Sequence, residues 1–317
     1  MIEGQEDVSW EDWRALAATC ERVGIAGLYR SDHYLSSTHP GRRGGLDAWA
    51  SLSALAAVTT SLRLGTLVSP VGFRPPGMLA KLVASVDQIS GGRVELGIGA
   101  GWFEAEFRAY GFPFPSLRER YVALDETLAV LHSLLQRAAE PTTFDGSYVR
   151  VADCRLLPPV VQAPHPTLIL GGDAGPKSAS LAARWADEYN VLEVSPELVA
   201  VRRGALAEAC RTHKRDPDTL GISMLIRTIV GRDREEVRER VARVLALTRD
   251  ARSADQVLAA RGDDVLIGTP DEVLERLRDY ATQGVRRVMF QHIDHTDLEM
   301  VRLIGERIAP ELRGLTP

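Results

Sequence analysis

The feature that most constrains the fold is a regular alternation of two kinds of segment along the chain. Stretches with apolar residues at helical spacing predict helices, and short aliphatic or β-branched runs between them predict strands. Helices are predicted at residues 10–23, 46–58, 75–89, 117–136, 177–186, 196–213, 233–248, 270–283 and 298–308, and strands at 26–30, 62–68, 93–97, 166–170, 188–192, 222–230 and 285–291. This alternation is typical of βα units and a parallel sheet.

Seven strands separated by helices leave one place of an eight-stranded barrel to fill. Met1 and Ile2 stand where the first strand belongs, so we infer that the numbering begins inside that strand and that the strand is truncated. An open, doubly wound sheet is the competing architecture, but no G-x-G-x-x-G sequence opens the first helix. The sequence therefore predicts a (β/α)8 TIM barrel with insertions, as a single domain over residues 1–317.

Two segments do not fit a bare βα repeat. Residues 138–165 contain a turn signal, Asp145-Gly146, between short alternating runs, and they predict a hairpin-like insertion. Residues 249–265 are polar and predict a mobile loop with a helical piece. Insertions of this kind usually lie over the ligand.

Composition excludes several classes of protein. Apolar residues make up 45% and charged residues 26% of the chain, as in ordinary globular proteins. The net charge is −5 and no basic face is visible, so neither nucleic acid nor an anionic membrane is expected as a partner. No signal sequence or membrane span is recognisable, and Cys20, Cys154 and Cys210 lie far apart. We therefore expect a cytoplasmic protein.

The strand predicted at 26–30 is the second of the barrel when Met1 and Ile2 count as the first. It is followed by Asp32 and His33. Residues just past the carboxyl end of a barrel strand point toward the active-site mouth, and a carboxylate beside an imidazole can hold its tautomer and tune its pKa. The alternative is that Asp32 caps the next turn while His33 packs beneath the loop. The dipeptide alone leaves both interpretations open.

Glycines follow the strands predicted at 93–97 and 166–170, which are the fourth and fifth of the barrel on the same count. Gly97, Gly99 and Gly101 alternate, which lets a planar ligand or another protein segment approach the backbone closely. Residues 171–178, GGDAGPKS, begin a helix, where free N–H groups and the helix dipole favour a phosphate. A tightly packed strand end and a plain βα turn are the respective alternatives.

The last predicted strand ends in Gln291, His292, Ile293, Asp294 and His295. These side chains alternate between faces and lack further Cys, His or Glu neighbours in sequence, so we expect polar lining of the mouth and no metal site. The absence of G-x-S-x-G, P-loop and H-E-x-x-H motifs argues against hydrolase, phosphotransferase and zinc protease chemistry.

Taken together, these motifs resemble the bacterial luciferase-like flavin oxidoreductase superfamily, and within it the coenzyme F420-dependent branch. The resemblance covers nearly the whole chain and rests on the order and spacing of the motifs. They are Trp10-x-x-Trp13, Ser31-Asp32-His33, the run from Thr66 to Pro70 with Phe73-Arg74-Pro75-Pro76, Ser90-Gly91-Gly92-Arg93, residues 97–102, Tyr110-Gly111, Gly171-Gly172 and residues 182–187.

The resemblance implies a deazaflavin or flavin in the mouth of the barrel, with its ring against the third strand and its phosphate on loop amides. His33, oriented by Asp32, corresponds to the residue that exchanges a proton beside the ring. The positions that correspond to the cofactor site are Thr66 and Leu67 at a bulge that often holds a non-proline cis peptide, Gly99 and Gly101 beside the ring, Trp102 as an apolar wall, and Gly171, Gly172, Gly175 and Ser178 at the phosphate.

Sugar-phosphate dehydrogenases of this branch carry an acidic residue where this chain has Trp102, so neither that substrate nor that acid is carried over. The resemblance implies hydride transfer between F420 and an unidentified small organic substrate. Arginine-rich, lysine-poor usage, typical of GC-rich actinobacterial genomes, favours F420 over FMN. An FMN-dependent monooxygenase supplied by a flavin reductase, and a barrel isomerase or lyase acting on a phosphorylated metabolite, are the alternatives. A homodimer is a family expectation.

Overall fold

The computed structural model describes residues 1–39, 43–137, 140–260, 262 and 264–313. Its strands are β1 (Gly27–Arg30), β2 (Arg63–Pro70), β3 (Val94–Gly99), β4 (Thr142–Asp145), β5 (Arg150–Cys154), β6 (Leu168–Gly171), β7 (Glu188–Leu192), β8 (Gly221–Val230), β9 (Val265–Gly268) and β10 (Arg287–Gln291). Its helices are α1 (Trp10–Arg22), α2 (Ala48–Val58), α3 (Pro76–Ser90), α4 (Glu104–Ala109), α5 (Leu117–Gln136), α6 (Pro176–Trp185), α7 (Pro196–Thr212), α8 (Arg234–Thr248), α9 (Ala254–Ala260), α10 (Pro270–Thr282), α11 (Leu298–Leu303) and α12 (Ala309–Leu312). A short 3-10 helix covers Pro217–Thr219, and a π-helical turn, Ile304–Ile308, joins α11 to α12.

Seven parallel strands form a continuous curled sheet in the order β1-β2-β3-β6-β7-β8-β10. The gap between β10 and β1 is bridged by Met1 and Ile2. Ile2 N–H donates to Tyr29 O at 2.9 Å on one side, and His292 N–H donates to Met1 O at 3.0 Å on the other. These two residues therefore take the first-strand place and close the ring, which confirms the predicted (β/α)8 barrel.

Two elements, β9 and α4, go beyond the predicted set, whereas α9 falls where a helical piece is predicted. β9 pairs in parallel with the outer half of β8, where β8 extends past the barrel. α4 is only six residues long, too short for helical periodicity to be visible in the sequence. α9 lies within the segment predicted as a loop with a helical piece, of which residues 261 and 263 lie outside the described residues.

The insertion after α5 contains an antiparallel hairpin. β4 and β5 pair across the turn that holds Asp145 and Gly146. Residues 138 and 139 of the predicted insertion lie outside the described part of the chain.

The barrel interior is filled by side chains that point inward from several strands. Met1, Tyr29, Leu67, Ile169, Leu225 and Met289 form this inner cluster. A larger apolar cluster lies between the sheet and the surrounding helices. Inward and outward positions alternate along each strand, so both clusters follow from near-continuous apolar strands covered by helices.

The amino-terminal end of the barrel is closed by ion pairs. Arg287 bridges Glu95 and Glu188 at 2.8 and 2.7 Å, and Arg63 also pairs with Glu95. A cleft of about 600 Å³ lies beside this network. Residues at this end of a (β/α)8 barrel usually serve stability, and catalytic residues lie at the opposite end. No helix within the described ranges is both long and apolar enough to cross a membrane.

Candidate active site at the carboxyl ends of the strands

The loops that follow β1, β2, β3 and β6 all leave the barrel at the same end, because these strands are parallel and adjacent. We call this opening the mouth. His33 follows β1 and Gly172 follows β6, so the predicted proton-exchanging residue and the predicted phosphate loop share one rim.

The carboxylate partner of His33 is Glu106. His33 Nδ1 lies 2.8 Å from Glu106 Oε2, and Glu106 is fully buried on the short helix α4. The other oxygen of Glu106 accepts the backbone N–H groups of Tyr34 and Leu35. A carboxylate can only accept, so His33 carries its proton on Nδ1 and its Nε2 is left for a reacting group.

Asp32 does not orient His33, and the expected contact between them is wrong. Asp32 is buried and accepts hydrogen bonds from Arg74 at 2.6 and 3.2 Å and from Ser69 Oγ at 2.6 Å. Consecutive residues at the end of a strand point to opposite sides, so Asp32 turns toward β2 while His33 turns toward α4. Arg74 also pairs with Asp47 at 2.6 Å, so Arg74 ties together the loop after β1, the start of α2 and the loop after β2.

The electrostatic surroundings favour a protonated His33. Burial lowers the pKa of His33, but the hydrogen bond and the negative charge of Glu106 outweigh burial and bring the pKa above its ordinary value, with Glu3 and Asp32 adding to the effect. Glu3 follows the first-strand place and accepts a hydrogen bond from Gln291 at 2.7 Å. A histidine in such a site can give or take a proton near neutral pH.

The bulge predicted at Thr66 and Leu67 is present on β2, which is the third strand of the barrel when Met1 and Ile2 count as the first. The register between β2 and β3 shifts between Thr66 and Ser69, and the Leu67–Val68 peptide within the bulge is cis. Thr66 is buried, and its hydroxyl donates to Gly97 O at 2.9 Å. The side chain of Leu67 joins the inner cluster of the barrel. The role of the bulge toward a cofactor ring stays a prediction.

Gly99 and Gly101 make room for protein atoms. A Cβ atom on Gly99 would lie 2.8 Å from Val68 Cγ2, and one on Gly101 would lie 2.9 Å from Phe107 Cζ. Close packing of the bulge against β3 therefore accounts for a glycine at position 99, and Phe107 accounts for one at position 101. The place of both glycines beside a cofactor stays a prediction.

The loop after β6 offers unpaired backbone donors at a helix start. Gly171 ends β6, and Gly172 has a φ of +144° while its N–H donates to Asn190 O. Gly175 is the N-cap of α6, and in this part of the described chain its N–H and that of Lys177 have no protein partner. Such groups are available to a phosphate.

Ser178 has a partner within the loop. Its hydroxyl lies 2.5 Å from the hydroxyl of Tyr189, which also accepts the N–H of Ala174 at 2.8 Å. The Ser178 side chain thus helps to hold the loop in place, and its role toward a phosphate stays a prediction.

A cation beside this loop was missed by the sequence analysis. Arg202, on α7, donates from Nη2 to Asp173 at 2.7 Å, while its buried Nη1 has no hydrogen-bond partner. Asp173 itself is largely exposed. The orphaned Nη1, the free amides and the amino end of α6 form a donor set that fits the phosphate that F420 and FMN share.

Trp102 follows β3 and stands at the mouth with 63% of its surface exposed. Its ring lies edge-on to His33 at 5.7 Å between centroids and stacks on Phe103 at 5.2 Å. Trp102 is therefore close to His33.

Of the residues predicted at the far end of the chain, His292 is fully buried and both of its ring nitrogens lack hydrogen-bond partners. Burial lowers the pKa of His292 to about 4. His292 is therefore neutral at pH 7 and packs beneath the rim. Among the described residues, no group of three or more His, Cys, Asp or Glu side chains is arranged to hold a metal ion.

The functional residues that sequence reasoning missed are Glu106, Arg74 and Arg202. Glu106 lies 73 positions from His33, and no local pattern marks a carboxylate on a six-residue helix as buried. The nearest available signal was the short acidic stretch directly after the glycines of β3.

Fold and site together define a class of protein. A (β/α)8 barrel carries a histidine–carboxylate pair and a glycine-rich helix start at the carboxyl ends of its strands, where enzymes with this fold place their active sites. Comparison with known proteins agrees. The family model for luciferase-like monooxygenases matches residues 2–287.

Two curated relatives carry the same name, F420-dependent glucose-6-phosphate dehydrogenase. The protein from Microbacterium testaceum is 30% identical, with 92% of this chain and 90% of the relative covered, and that from Nakamurella multipartita is 29% identical, with 95% and 92% covered. Among solved structures, coenzyme F420-dependent tetrahydromethanopterin reductase from Methanopyrus kandleri has a TM-score of 0.79 at 19% identity and covers 98% of this chain and 97% of its own.

The chain belongs to the luciferase-like monooxygenase family. It is therefore an oxidoreductase, as the sequence motifs predicted.

Proposed function

We propose that the protein transfers a hydride between coenzyme F420 and a small organic substrate, with His33 exchanging the accompanying proton. The single observation that carries this proposal is the placement of His33, locked by buried Glu106, on the same rim as the donor set of residues 171–178 and Arg202. The names of the two curated relatives support F420 as the cofactor. The substrate in those names is not carried over, because the chain has Trp102 at a position that is acidic in such dehydrogenases.

The division of labour follows from the geometry. The deazaflavin, when bound, supplies a ring carbon that accepts or donates hydride. Glu106 holds His33 in the Nδ1–H tautomer, so Nε2 faces the mouth and can hold or release a proton. Arg202 and the amides of Gly175 and Lys177 bind the phosphate. Asp32 and Arg74 keep the loops after β1 and β2 in register.

The second candidate is an FMN-dependent monooxygenase that receives reduced flavin from a separate reductase, since the matching family model describes monooxygenases. Titration of the protein with F420 and with FMN, each followed by quenching of cofactor fluorescence, separates the two. We expect saturable binding of F420 in preference to FMN and no consumption of oxygen on turnover. Preference for FMN, with oxygen uptake when a flavin reductase is added, would refute the F420 assignment.

We also propose a cellular location, a domain organisation and an oligomeric state for the protein. All three cysteines are unpaired, which supports a reducing, cytoplasmic location. We expect one folded domain over residues 1–317, a homodimer and a small-molecule substrate. Light scattering of the purified protein checks the dimer.

A further inference from the structure

An exposed aromatic surface lies beside the proton-exchanging residue. Trp102 and Phe103 stack on each other, and both rings stand edge-on to His33, at 5.7 and 6.3 Å between centroids. Trp102 is among the most exposed large apolar residues of the described chain. An indole left in water at the mouth of an enzyme marks a surface that a ligand covers. We call Trp102 and Phe103 the aromatic wall.

The position of the wall identifies which ligand covers it. His33 Nδ1 is committed to Glu106, so any proton exchange passes through Nε2. The molecule that exchanges this proton with His33 must lie against the same imidazole that the wall flanks. In the proposed reaction the proton partner of His33 is the substrate oxygen, because that oxygen gains or loses a proton when the adjoining carbon gains or loses the hydride. The wall therefore contacts the substrate.

The charges near His33 disfavour an anionic substrate. Glu106 touches the imidazole, and Glu3 and Asp32 are close enough to raise its pKa. The nearby arginines already have partners. Arg74 pairs with Asp32 and Asp47, Arg108 pairs with Glu104, and buried Arg30 donates to Ser31 O, Ser51 Oγ and Leu46 O. A sugar phosphate would bring further negative charge beside Glu106 and Glu3, whereas an uncharged molecule would meet no such repulsion.

We propose that the substrate of the hydride transfer is an uncharged compound with an aromatic body, which packs on Trp102 and Phe103 while its carbonyl or hydroxyl oxygen faces His33. This proposal rests on the proposed function. Reduction adds a hydride to the carbonyl carbon and the His33 proton to its oxygen, and oxidation reverses both transfers. The class differs from the phosphorylated sugar named for the curated relatives.

The test uses 2-acetonaphthone as the aromatic probe and glucose 6-phosphate as the competing class. Binding to the protein loaded with oxidised F420 is measured by saturation-transfer NMR, which needs no turnover, and turnover is followed by the absorbance of F420. Variants are Trp102→Ala, Trp102→Phe and, as a matched control, Tyr148→Ala. Tyr148 is an exposed aromatic residue in the hairpin turn between β4 and β5, away from the rim.

We expect saturable binding of the naphthyl probe to the unsubstituted protein. Trp102→Ala should weaken it about tenfold, and Trp102→Phe by no more than about threefold, since a phenyl ring keeps part of the contact. Because this proposal assigns Trp102 to the substrate and not to the cofactor site that the resemblance implied, the F420 dissociation constant should stay the same in every variant. Tyr148→Ala should change neither quantity.

Several outcomes would overturn the proposal. They are no saturable binding of the probe, probe binding that Trp102→Ala leaves unchanged, preferential binding of glucose 6-phosphate, or a Trp102→Ala effect on F420 affinity or oligomeric state in place of probe binding. Failure of the unsubstituted protein to bind F420 refutes the proposed function instead. If F420 binds and only the probe results fail, the proposed function stands and the aromatic substrate class falls.

Discussion

Replacing Glu106 by Gln tests the central feature of the site. The amide oxygen of Gln can still accept the N–H groups of Tyr34 and Leu35, so the loop after β1 keeps its partners. The amide nitrogen then faces His33 Nδ1 as a donor, which moves the imidazole proton to Nε2 in the neutral ring and removes the negative charge. A charge-assisted hydrogen bond of this kind is worth about 1.5–3 kcal/mol, so we expect turnover to fall by about 10- to 150-fold.

The pH dependence gives a direct readout of the same change. In the unsubstituted protein Glu106 raises the pKa of His33 against the opposing effect of burial. Without the carboxylate, burial dominates and the pKa of His33 should fall below its ordinary value. NMR titration of the His33 ring measures this pKa, and His33→Asn identifies the His33 signal. In Glu106→Gln, turnover in the direction that needs protonated His33 should fall at a lower pH than in the unsubstituted protein.

The matched control is Glu104→Gln, two residues earlier on α4. Glu104 is exposed and pairs only with Arg108 on the surface, so its loss should leave both the His33 titration and turnover unchanged. An unchanged His33 midpoint in Glu106→Gln, or an equal change in Glu104→Gln, would show that Glu106 does not control the histidine.

Linkage adds a stability prediction with a definite sign. Because the folded-state pKa of His33 is raised, its pairing with Glu106 stabilises the protein fully below the unfolded value of about 6.5. That contribution is lost as the pH rises through the folded value. The difference in free energy of unfolding between the protein and Glu106→Gln should therefore shrink from pH 6 to pH 9. Urea unfolding at several pH values measures it, and a difference that grows with pH would contradict the assignment.

Three further predictions concern the loop after β6, the bulge and the rim. Gly175 is the N-cap of α6, and a Cβ added there would meet open space. Gly175→Asp should weaken F420 binding about tenfold or more by repelling the phosphate, whereas the neutral Gly175→Asn should not. Fluorescence titration of each variant with F420 measures the difference. Gly97→Ala should destabilise the fold by about 1–3 kcal/mol, because the added Cβ would lie 2.2 Å from Thr66 O. The control Gly204→Ala, on α7, should leave stability unchanged or increase it. Thermal unfolding compares the two variants, and equal effects would contradict the packing argument. Burial lowers the pKa of His292 from about 6.5 to about 4, so the folded protein loses stability as the pH falls from 7 to 4. His292→Gln should make that loss of unfolding free energy smaller by about 3 kcal/mol, as measured by urea unfolding at both pH values. An unchanged acid dependence would refute this.

The periodic parts of the molecule could be predicted from the sequence alone. The predicted strand 188–192 coincides with β7, and the predicted helix 117–136 coincides with α5. Long helices and buried strands are specified by local spacing of apolar residues, which the sequence displays directly. The short helix α4 was missed, because six residues are too few for a helical period to show, and strand β9 was missed as well.

The site divides in the same way. Residues that directly follow a strand, such as His33 and Gly172, could be assigned to the mouth, because parallel topology alone puts strand ends on one rim. The partner of His33 could not be assigned, since Asp32 is its neighbour in sequence while Glu106 is its neighbour in space. Nor could the use of Gly99 be decided, because only the fold shows that Val68 faces it.

The sequence by itself therefore determined the barrel, the family and the rim that carries the candidate site residues, since each depends on local periodicity and on the order of short motifs. The tertiary structure decided which carboxylate holds His33, which arginine lies beside the loop after β6 and what the glycines of β3 accommodate. Those contacts join residues tens of positions apart. Their energies depend on burial and on side-chain direction, which exist only once the chain is folded.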